Sequence, residues 1–194
     1  MTEAQWDKKL KIQTGGRDDY HEDEYHYPYE PTPYSVLERL AGSGYIDEDS
    51  YVIDYGCGKG RGGCFLNHQC GCAVTGIEYD ERIYKQAMQN LEAYGKTREV
   101  DFQCISAEVY QVSEADCFYF FNPFSVELLQ SVMGKILDSY YDVPRQMQLF
   151  FYYPNDEYLS YLMTMPDLMF VDEIDCQDLF EGKNGRERIL IFEI

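Results

Sequence analysis

Short apolar runs alternate with amphipathic segments along most of this chain. Runs of this kind, rich in β-branched and aromatic residues, are typical of strands that are buried in a parallel sheet. Apolar residues between the runs recur at helical spacing, as Ile83, Ala87 and Leu91 do. The pattern predicts strands at Val52–Ile53, Val74–Glu78, Phe102–Ile105, Phe118–Phe121 and Met147–Tyr153.

Residues that begin and end helices bound the segments between these strands. Thr32 is predicted to cap a helix that has Pro33 at its first position and runs to Leu40. Asp80 and Gly95 suit the start and the stop of a helix over Glu81–Tyr94. The remaining predicted helices begin at Arg61 (to His68), at Ser125 as the cap of a long helix (to about Tyr141) and at Asp156 (to Met163).

The end of the chain predicts a hairpin rather than another helical crossover. Phe170–Cys176 and Arg188–Ile194 are strand-like, and Asn184-Gly185 favours a turn between them. The whole pattern predicts an α/β fold with a mostly parallel sheet and one antiparallel strand. Residues 1–30 are expected to form a loosely structured, tyrosine-rich acidic arm, and residues 31–194 a single domain.

Three alternating glycines follow the first strand, and they carry the first candidate chemistry. Asp54 ends the strand, and Gly56, Gly58 and Gly60 let the backbone turn tightly against a ligand. A helix beginning at Arg61 places its N-terminus beside that ligand. The stretch Gly58-Lys59-Gly60-Arg61-Gly62-Gly63 also fits the dinucleotide fingerprint G-x-G-x-x-G, so a nicotinamide enzyme is an alternative.

A second carboxylate ends the second predicted strand. Glu78 lies 24 residues after Asp54, near the spacing of about 20 residues that is usual for an acid bound to a ribose. A carboxylate accepts both ribose hydroxyl protons. The ligand is therefore expected to carry a ribose.

Asp-x-Gly-x-Gly-x-Gly after a strand, followed by Glu78, resembles the class I S-adenosylmethionine (SAM) dependent methyltransferases. This resemblance implies a Rossmann-like fold: a mostly parallel seven-stranded sheet with a reversed last strand and helices on both faces. It implies SAM as cofactor, with Asp54 near the methionine ammonium and Glu78 on the ribose. Residues implied to line the methionine and ribose are Gly56, Cys57, Gly58 and Gly60.

Two further segments extend the resemblance, which spans roughly residues 27–154. Asn122-Pro123-Phe124 resembles the catalytic motif of class I enzymes that methylate amines, among them the histone-lysine methyltransferases without a SET domain and their bacterial look-alikes. Tyr29–Tyr34 is similar to the segment that covers SAM in that group, which implies cofactor contacts for Tyr29, Thr32 and Tyr34.

The adenine site departs from the family pattern. Ser106-Ala107 stands where the family usually has an acid and a small residue. Either Glu108 takes the place of that acid, or backbone groups hold the adenine.

Composition narrows the partners. The net charge of −19 argues against duplex nucleic acid, whose phosphates need clustered Lys and Arg, and it suits a small amine or a protein substrate. The sequence has no apolar run long enough to span a membrane and no signal peptide, and seven cysteines without an export signal indicate a reduced, cytoplasmic protein. The oligomeric state is left open.

Metal sites are not expected. His21 and His26 are one residue too far apart for the H-E-x-x-H zinc motif, and Cys64, His68, Cys70 and Cys72 lack a common zinc spacing. Lys59 and Arg61 are expected to be solvent-exposed residues at a helix start. Besides the oxidoreductase, a SAM-binding protein without catalysis is the remaining alternative.

Overall fold

A computed structural model describes residues 1–18 and 29–194. In these residues a central sheet of seven strands is flanked by six α-helices. The strands are β1 (Tyr51–Tyr55), β2 (Ala73–Glu78), β3 (Val100–Cys104), β4 (Cys117–Phe120), β5 (Gln148–Tyr152), β6 (Met169–Asp175) and β7 (Arg188–Glu193). The helices are α1 (Glu3–Leu10), α2 (Tyr34–Ala41), α3 (Arg61–Cys70), α4 (Glu81–Tyr94), α5 (Val126–Asp142) and α6 (Asp156–Leu162).

The strand order is β3-β2-β1-β4-β5-β7-β6, and only β7 runs against its neighbours. The mostly parallel sheet with a reversed last strand is therefore confirmed. The order changes direction between β1 and β4, which are adjacent although two strands separate them in sequence. Ligands of open α/β sheets bind outside the carboxyl ends of the strands at such a switch point.

Side chains of each central strand alternate between two hydrophobic layers. On β1, Val52 belongs to the layer that contains residues of α1 to α4. Ile53 and Tyr55 belong to the layer formed with α5 and α6. Both faces of the sheet are thus covered, which explains why the strands read as continuous apolar runs.

The expectation of a loosely structured N-terminal arm is wrong for its first part. Thr2 caps α1 in a reciprocal capping box with Gln5, and Trp6 and Leu10 are buried in the same layer as α2 and α3. The capping box is a local signal for this helix. Its apolar face is narrow, so hydrophobic periodicity alone did not predict it. His21, His26 and Tyr20, Tyr25 and Tyr27 lie outside the described residues.

Thr32 does not cap the next helix. Helix α2 begins at Tyr34 with Pro33 as its N-cap, and no side chain caps it. The Thr32 hydroxyl instead shares a hydrogen bond of 3.0 Å with the Tyr119 hydroxyl on β4. The Thr32 side chain thus bonds to a residue distant in sequence instead of to the backbone of α2. Asp80 and Ser125, in contrast, cap α4 and α5 as predicted.

None of the helices in the described ranges has the length and apolar character that crossing a membrane requires. All seven cysteines are free thiols, and most of them are buried.

Candidate functional site

A cavity of about 1030 Å³, its open mouth included, lies at the carboxyl ends of β1, β2 and β4. Its position is the switch point of the sheet. Its wall is polar beside the β1–α3 loop and apolar beside β3 and α5. The apolar part is formed by Ile77, Ile83, Ile105, Ala107, Phe124 and Leu128.

Asp54 is a buried carboxylate in this wall, 4% exposed. It accepts a hydrogen bond from the Gly63 N–H in the first turn of α3, and a Cβ on Gly62 would lie 2.7 Å from its Oδ2. Burial, and then the nearby Glu78, raise the pKa of Asp54 to about 7. The carboxyl group thus accepts a hydrogen bond from the start of α3 and faces the cavity, where a cationic group would favour its ionised form.

Glu78 ends β2, and its carboxylate connects two loops. Its two carboxylate oxygens accept the Gly58 N–H at 3.0 Å and the Asp80 N–H at 2.9 Å. Burial raises its pKa to about 7, against the opposing effect of these backbone donors. Each carboxylate oxygen retains acceptor capacity beyond its backbone partner.

Gly56 and Gly58 lie where the glycine loop is packed tightly. Both have positive φ, at 72° and 57°. A Cβ on Gly56 would lie 2.3 Å from Cβ of Pro123, and one on Gly58 would lie 2.2 Å from the ring of Tyr29. Only glycine allows Pro123 and Tyr29 to close on this loop.

The segment before α2 forms one side of the cavity. Tyr29, Glu30, Pro31 and Thr32 line it, and Asp18 pairs with Tyr29 through two backbone hydrogen bonds of 3.0 Å. The Tyr29 hydroxyl donates to the Thr14 carbonyl at 2.6 Å. This side of the cavity is thereby connected to the residues that follow α1.

Arg61 is not the exposed residue that the sequence predicted. It is 4% exposed, lines the cavity and donates to Glu3, to Thr14 Oγ1 at 2.7 Å and to the Thr32 carbonyl at 3.1 Å. Lys59 is half-buried, with Nζ 3.2 Å from the Gly15 carbonyl. Both cations hold the N-terminal segment on the glycine loop, an interaction between distant residues that a helix-start pattern does not reveal.

Asn122 and Tyr153 follow the adjacent strands β4 and β5, and both have positive φ, at 39° and 52°. The Asn122 amide joins the two ends: Nδ2 donates to the Tyr153 carbonyl at 2.5 Å, and Oδ1 accepts the Asn155 N–H at 3.3 Å. A proline follows each of these two residues. Backbone strain of this kind persists only where surrounding contacts enforce it, and it is concentrated at functional sites.

The predicted motif residues after Asn122 occupy different surroundings. Pro123 lines the cavity against Gly56. Phe124 also lines it, but its ring is 3% exposed and packs edge-on against Tyr55 and Phe120. The Phe124 carbonyl accepts the Tyr158 hydroxyl at 2.6 Å, which fixes the motif on α6.

Most of the predicted site residues meet at this cavity. Those that line it are Tyr29, Thr32, Asp54, Gly56, Cys57, Glu78, Ala107, Asn122, Pro123 and Phe124. Gly58, Gly60, Tyr34 and Ser106 are not part of its lining in the described structure. Tyr34 is buried beneath the Arg61 guanidinium, 4.3 Å from the ring centroid, and donates to Asp7.

Sequence reasoning missed several cavity residues. Asp18, Arg61, Tyr79, Tyr119 and Phe121 line it without having been predicted. Tyr79 directly follows Glu78, so the strand-end pattern contained a signal for it. Phe121 directly precedes Asn122 and had the same signal, and the others reach the cavity through tertiary packing.

Comparison with known proteins finds a matching family model, a curated relative and solved structures of the same fold. Residues 52–146 match a family model described as a methyltransferase domain. A curated protein-lysine N-methyltransferase of Saccharolobus islandicus (strain REY15A) is 32% identical over 75 residues. This alignment covers 37% of the chain and 45% of the relative, so the chain spans less than half the length of the curated relative it matches.

Solved structures share the fold. An rRNA methylase from Streptococcus thermophilus has a TM-score of 0.57 at 17% identity, over 85% of this chain and 96% of the other. A SAM-dependent methyltransferase from Thiobacillus denitrificans in complex with S-adenosylhomocysteine has a TM-score of 0.58 at 14% identity, over 90% and 94%. At these identities the likeness establishes the architecture alone.

Proposed function

This chain belongs to the class I SAM-dependent methyltransferases. We propose that it transfers the methyl group of SAM to an amine nitrogen of a protein side chain or a small molecule. The observation that carries the proposal is the meeting of Asp54, Glu78 and Asn122 around one cavity. We also place the protein in the cytoplasm, since its seven cysteines are free thiols.

The lining of the cavity fits SAM in its chemistry. SAM has an ammonium and a sulfonium, a ribose diol and a flat, largely apolar base. The described cavity offers two buried carboxylates at the glycine loop and an apolar end at Ile105, Ala107 and Leu128. A nicotinamide dinucleotide would instead bring a pyrophosphate close to Asp54 and Glu78, and like charges would repel.

Different residues would hold different parts of this cofactor. Asp54 would pair with the ammonium and Glu78 with the ribose hydroxyls, while Tyr29 and Thr32 cover the cavity. Ser106 does not line the cavity and Glu108 is exposed, so Ile105 and Ala107 on either side of Ser106 would contact the adenine. Bound SAM supplies a methyl group on a positively charged sulfur, which is already electrophilic.

Asn122 would position the methyl acceptor. One lone pair of its Oδ1 receives the Asn155 N–H, and the other can accept a hydrogen from an amine. The hydrogen bond to Tyr153 fixes the amide plane, so the amine lone pair is aimed without reorganisation of the side chain. Pro123 adds a carbonyl acceptor. The amine attacks in its neutral form, because only then does the nitrogen carry a lone pair. The N–C bond forms as the S–C bond breaks, and the resulting ammonium loses a proton to solvent.

A protein or small amine fits better than RNA. The curated relative is named for protein lysine, while one structural neighbour is an rRNA methylase. The net charge of −19 opposes a polyphosphate backbone and attracts basic acceptors.

Calorimetry with SAM, S-adenosylhomocysteine and NAD tests the cofactor side of the proposal. We expect the first two to bind and NAD not to bind. Glu78→Gln should weaken SAM binding roughly ten-fold or more, because a charge-assisted hydrogen bond is lost. Binding of NAD alone would assign the chain to the oxidoreductase alternative.

A further inference from the structure

A second cavity adjoins the first at the end of β4, and Glu30, Phe121 and Asn122 line both. We infer that this second cavity binds the acceptor as a cationic alkyl amine of the lysine type, and that Glu187 is the residue that selects the cation. The inference rests on the proposed function, because it takes the second cavity as the acceptor side of the methyl-transfer site.

Aromatic rings form much of the second cavity. Phe121, Tyr152, Tyr153 and Phe180 contribute to its wall. The rings of Phe121 and Tyr152 lie 4.7 Å apart, and Asn184 donates to the Tyr153 hydroxyl at 2.8 Å. Aromatic faces carry negative potential and bind an alkyl ammonium through both its methylenes and its charge.

Glu187 provides a carboxylate in this aromatic surrounding. It is partly buried and accepts the Tyr152 hydroxyl at 2.7 Å. A neutral phenol orients the carboxylate but does not neutralise it. Within the described residues no cation is paired with Glu187. A partly buried carboxylate stabilises a cation placed beside it.

The other charges of the cavity do not oppose this assignment. Arg17 lines the cavity, but its guanidinium is 3.5 Å from the Glu30 carboxylate, so the two charges offset each other. Glu187 leaves the lining with an excess negative charge. An acidic acceptor would be repelled, and a neutral amide would gain no charge–charge attraction from it.

The position of the second cavity suits a side chain that reaches inward from a larger substrate. Asn122 forms the boundary between the cavities. An amine that has bound as the cation and then lost a proton to solvent can be held against Asn122, where its lone pair meets the cofactor side. Phe180 and Glu187 come from the connection between β6 and β7, beyond residues 52–146. The acceptor specificity is therefore encoded outside the part of the chain that matches the family model.

A binding experiment with the product complex tests the inference without turnover. The protein is saturated with S-adenosylhomocysteine and titrated calorimetrically with Nα-acetyl-lysine methylamide. Its neutral isostere, Nα-acetyl-norleucine methylamide, is titrated in parallel. We expect the lysine compound to bind and the isostere to bind at least ten-fold more weakly.

Two glutamate variants make the test specific. Glu187→Gln should weaken lysine binding about ten-fold while it retains an acceptor for the Tyr152 hydroxyl. Glu181→Gln is the matched control, because it removes the same charge from an exposed position on the same connection, away from the second cavity. Its affinity for the lysine compound should equal that of the wild type.

The inference is overturned if the wild type does not bind the lysine compound, if both compounds bind equally, or if Glu187→Gln binds as the wild type does. Failure of the proposed function has a different signature. In that case the lysine compound binds as expected, yet no methyl group is transferred to it when SAM replaces S-adenosylhomocysteine.

Discussion

At the residue scale, the buried carboxylate Asp54 should make the stability of the cofactor-free protein depend on pH. Its pKa is raised to about 7 when folded, against about 4 in an unfolded chain. The folded state therefore binds the proton more tightly. The stability that this group contributes is complete below about pH 4 and is lost as the pH rises through 7.

Asp54→Asn should consequently stabilise the cofactor-free protein at pH 8 and change it little at pH 5, since asparagine mimics the protonated carboxyl. Thermal melts of the wild type and the variant at both pH values measure the difference in stability. Each kcal/mol of added stability should raise the Tm by roughly 2–4 °C. The same variant should lose most of its affinity for SAM. A lower Tm than the wild type at pH 8 would show that the ionised carboxylate stabilises the fold.

Asn122→Ala should retain SAM affinity within about three-fold and lose turnover by roughly two orders of magnitude, because the acceptor loses its positioning group. Radiolabel transfer and calorimetry measure the two quantities. Asn155→Ala is the control. It removes the side-chain cap of α6, at a cost of about 1 kcal/mol, but keeps the backbone N–H that faces Asn122. Equal losses of turnover in both variants would reduce Asn122 to a structural role.

Single residues could be predicted from the sequence where the signal was local. Glu78, Asp80 and Asn122 follow strands or begin helices, and their positions agree with those patterns. Tyr34 and Arg61 could not be placed, because their surroundings depend on α1, which lies far away in sequence. The predictions failed where a distant segment supplied the partner.

At the element scale, the glycine loop and the loop after β4 are packed against each other. Gly56→Ala should destabilise the protein more than Gly95→Ala. Both glycines have positive φ, but a Cβ on Gly95 would meet nothing within 4 Å, and one on Gly56 would meet Pro123. Left-handed backbone alone costs about 1–2 kcal/mol, and overpacking adds about 1–3 kcal/mol.

Urea unfolding of both variants separates backbone strain from the steric clash. Equal losses of stability would mean that Pro123 moves away at no cost. The loop contact would then place no constraint on the Asn122-Pro123-Phe124 motif.

The elements themselves were largely predictable. Every predicted strand and every predicted helix is present, because periodicity and caps agree along residues 31–194. Helix α1 was missed because its apolar face is narrow, although its capping box is a local signal. Helix α2 begins later than expected because the Thr32 hydroxyl bonds to Tyr119 instead of capping the helix.

At the scale of the whole molecule, the net charge of −19 should attract basic acceptors. The KM for a lysine-rich protein should rise severalfold when the ionic strength increases from about 0.05 to 0.5 M, because added salt screens this attraction. The KM for a small neutral amine is the control and should stay nearly constant. A KM for the basic protein that does not change with salt would show that the net charge does not contribute to recognition of the acceptor.

The most direct test of amine methylation is to follow the methyl group itself. The protein is incubated with SAM labelled on the methyl group and with cell extract, which is then separated into protein, nucleic acid and small molecules. The account predicts label on amine nitrogens of the protein or small-molecule fraction, with lysine Nε identified by mass spectrometry of labelled peptides. Label in nucleic acid, or no label in any fraction from protein that binds SAM, would contradict it.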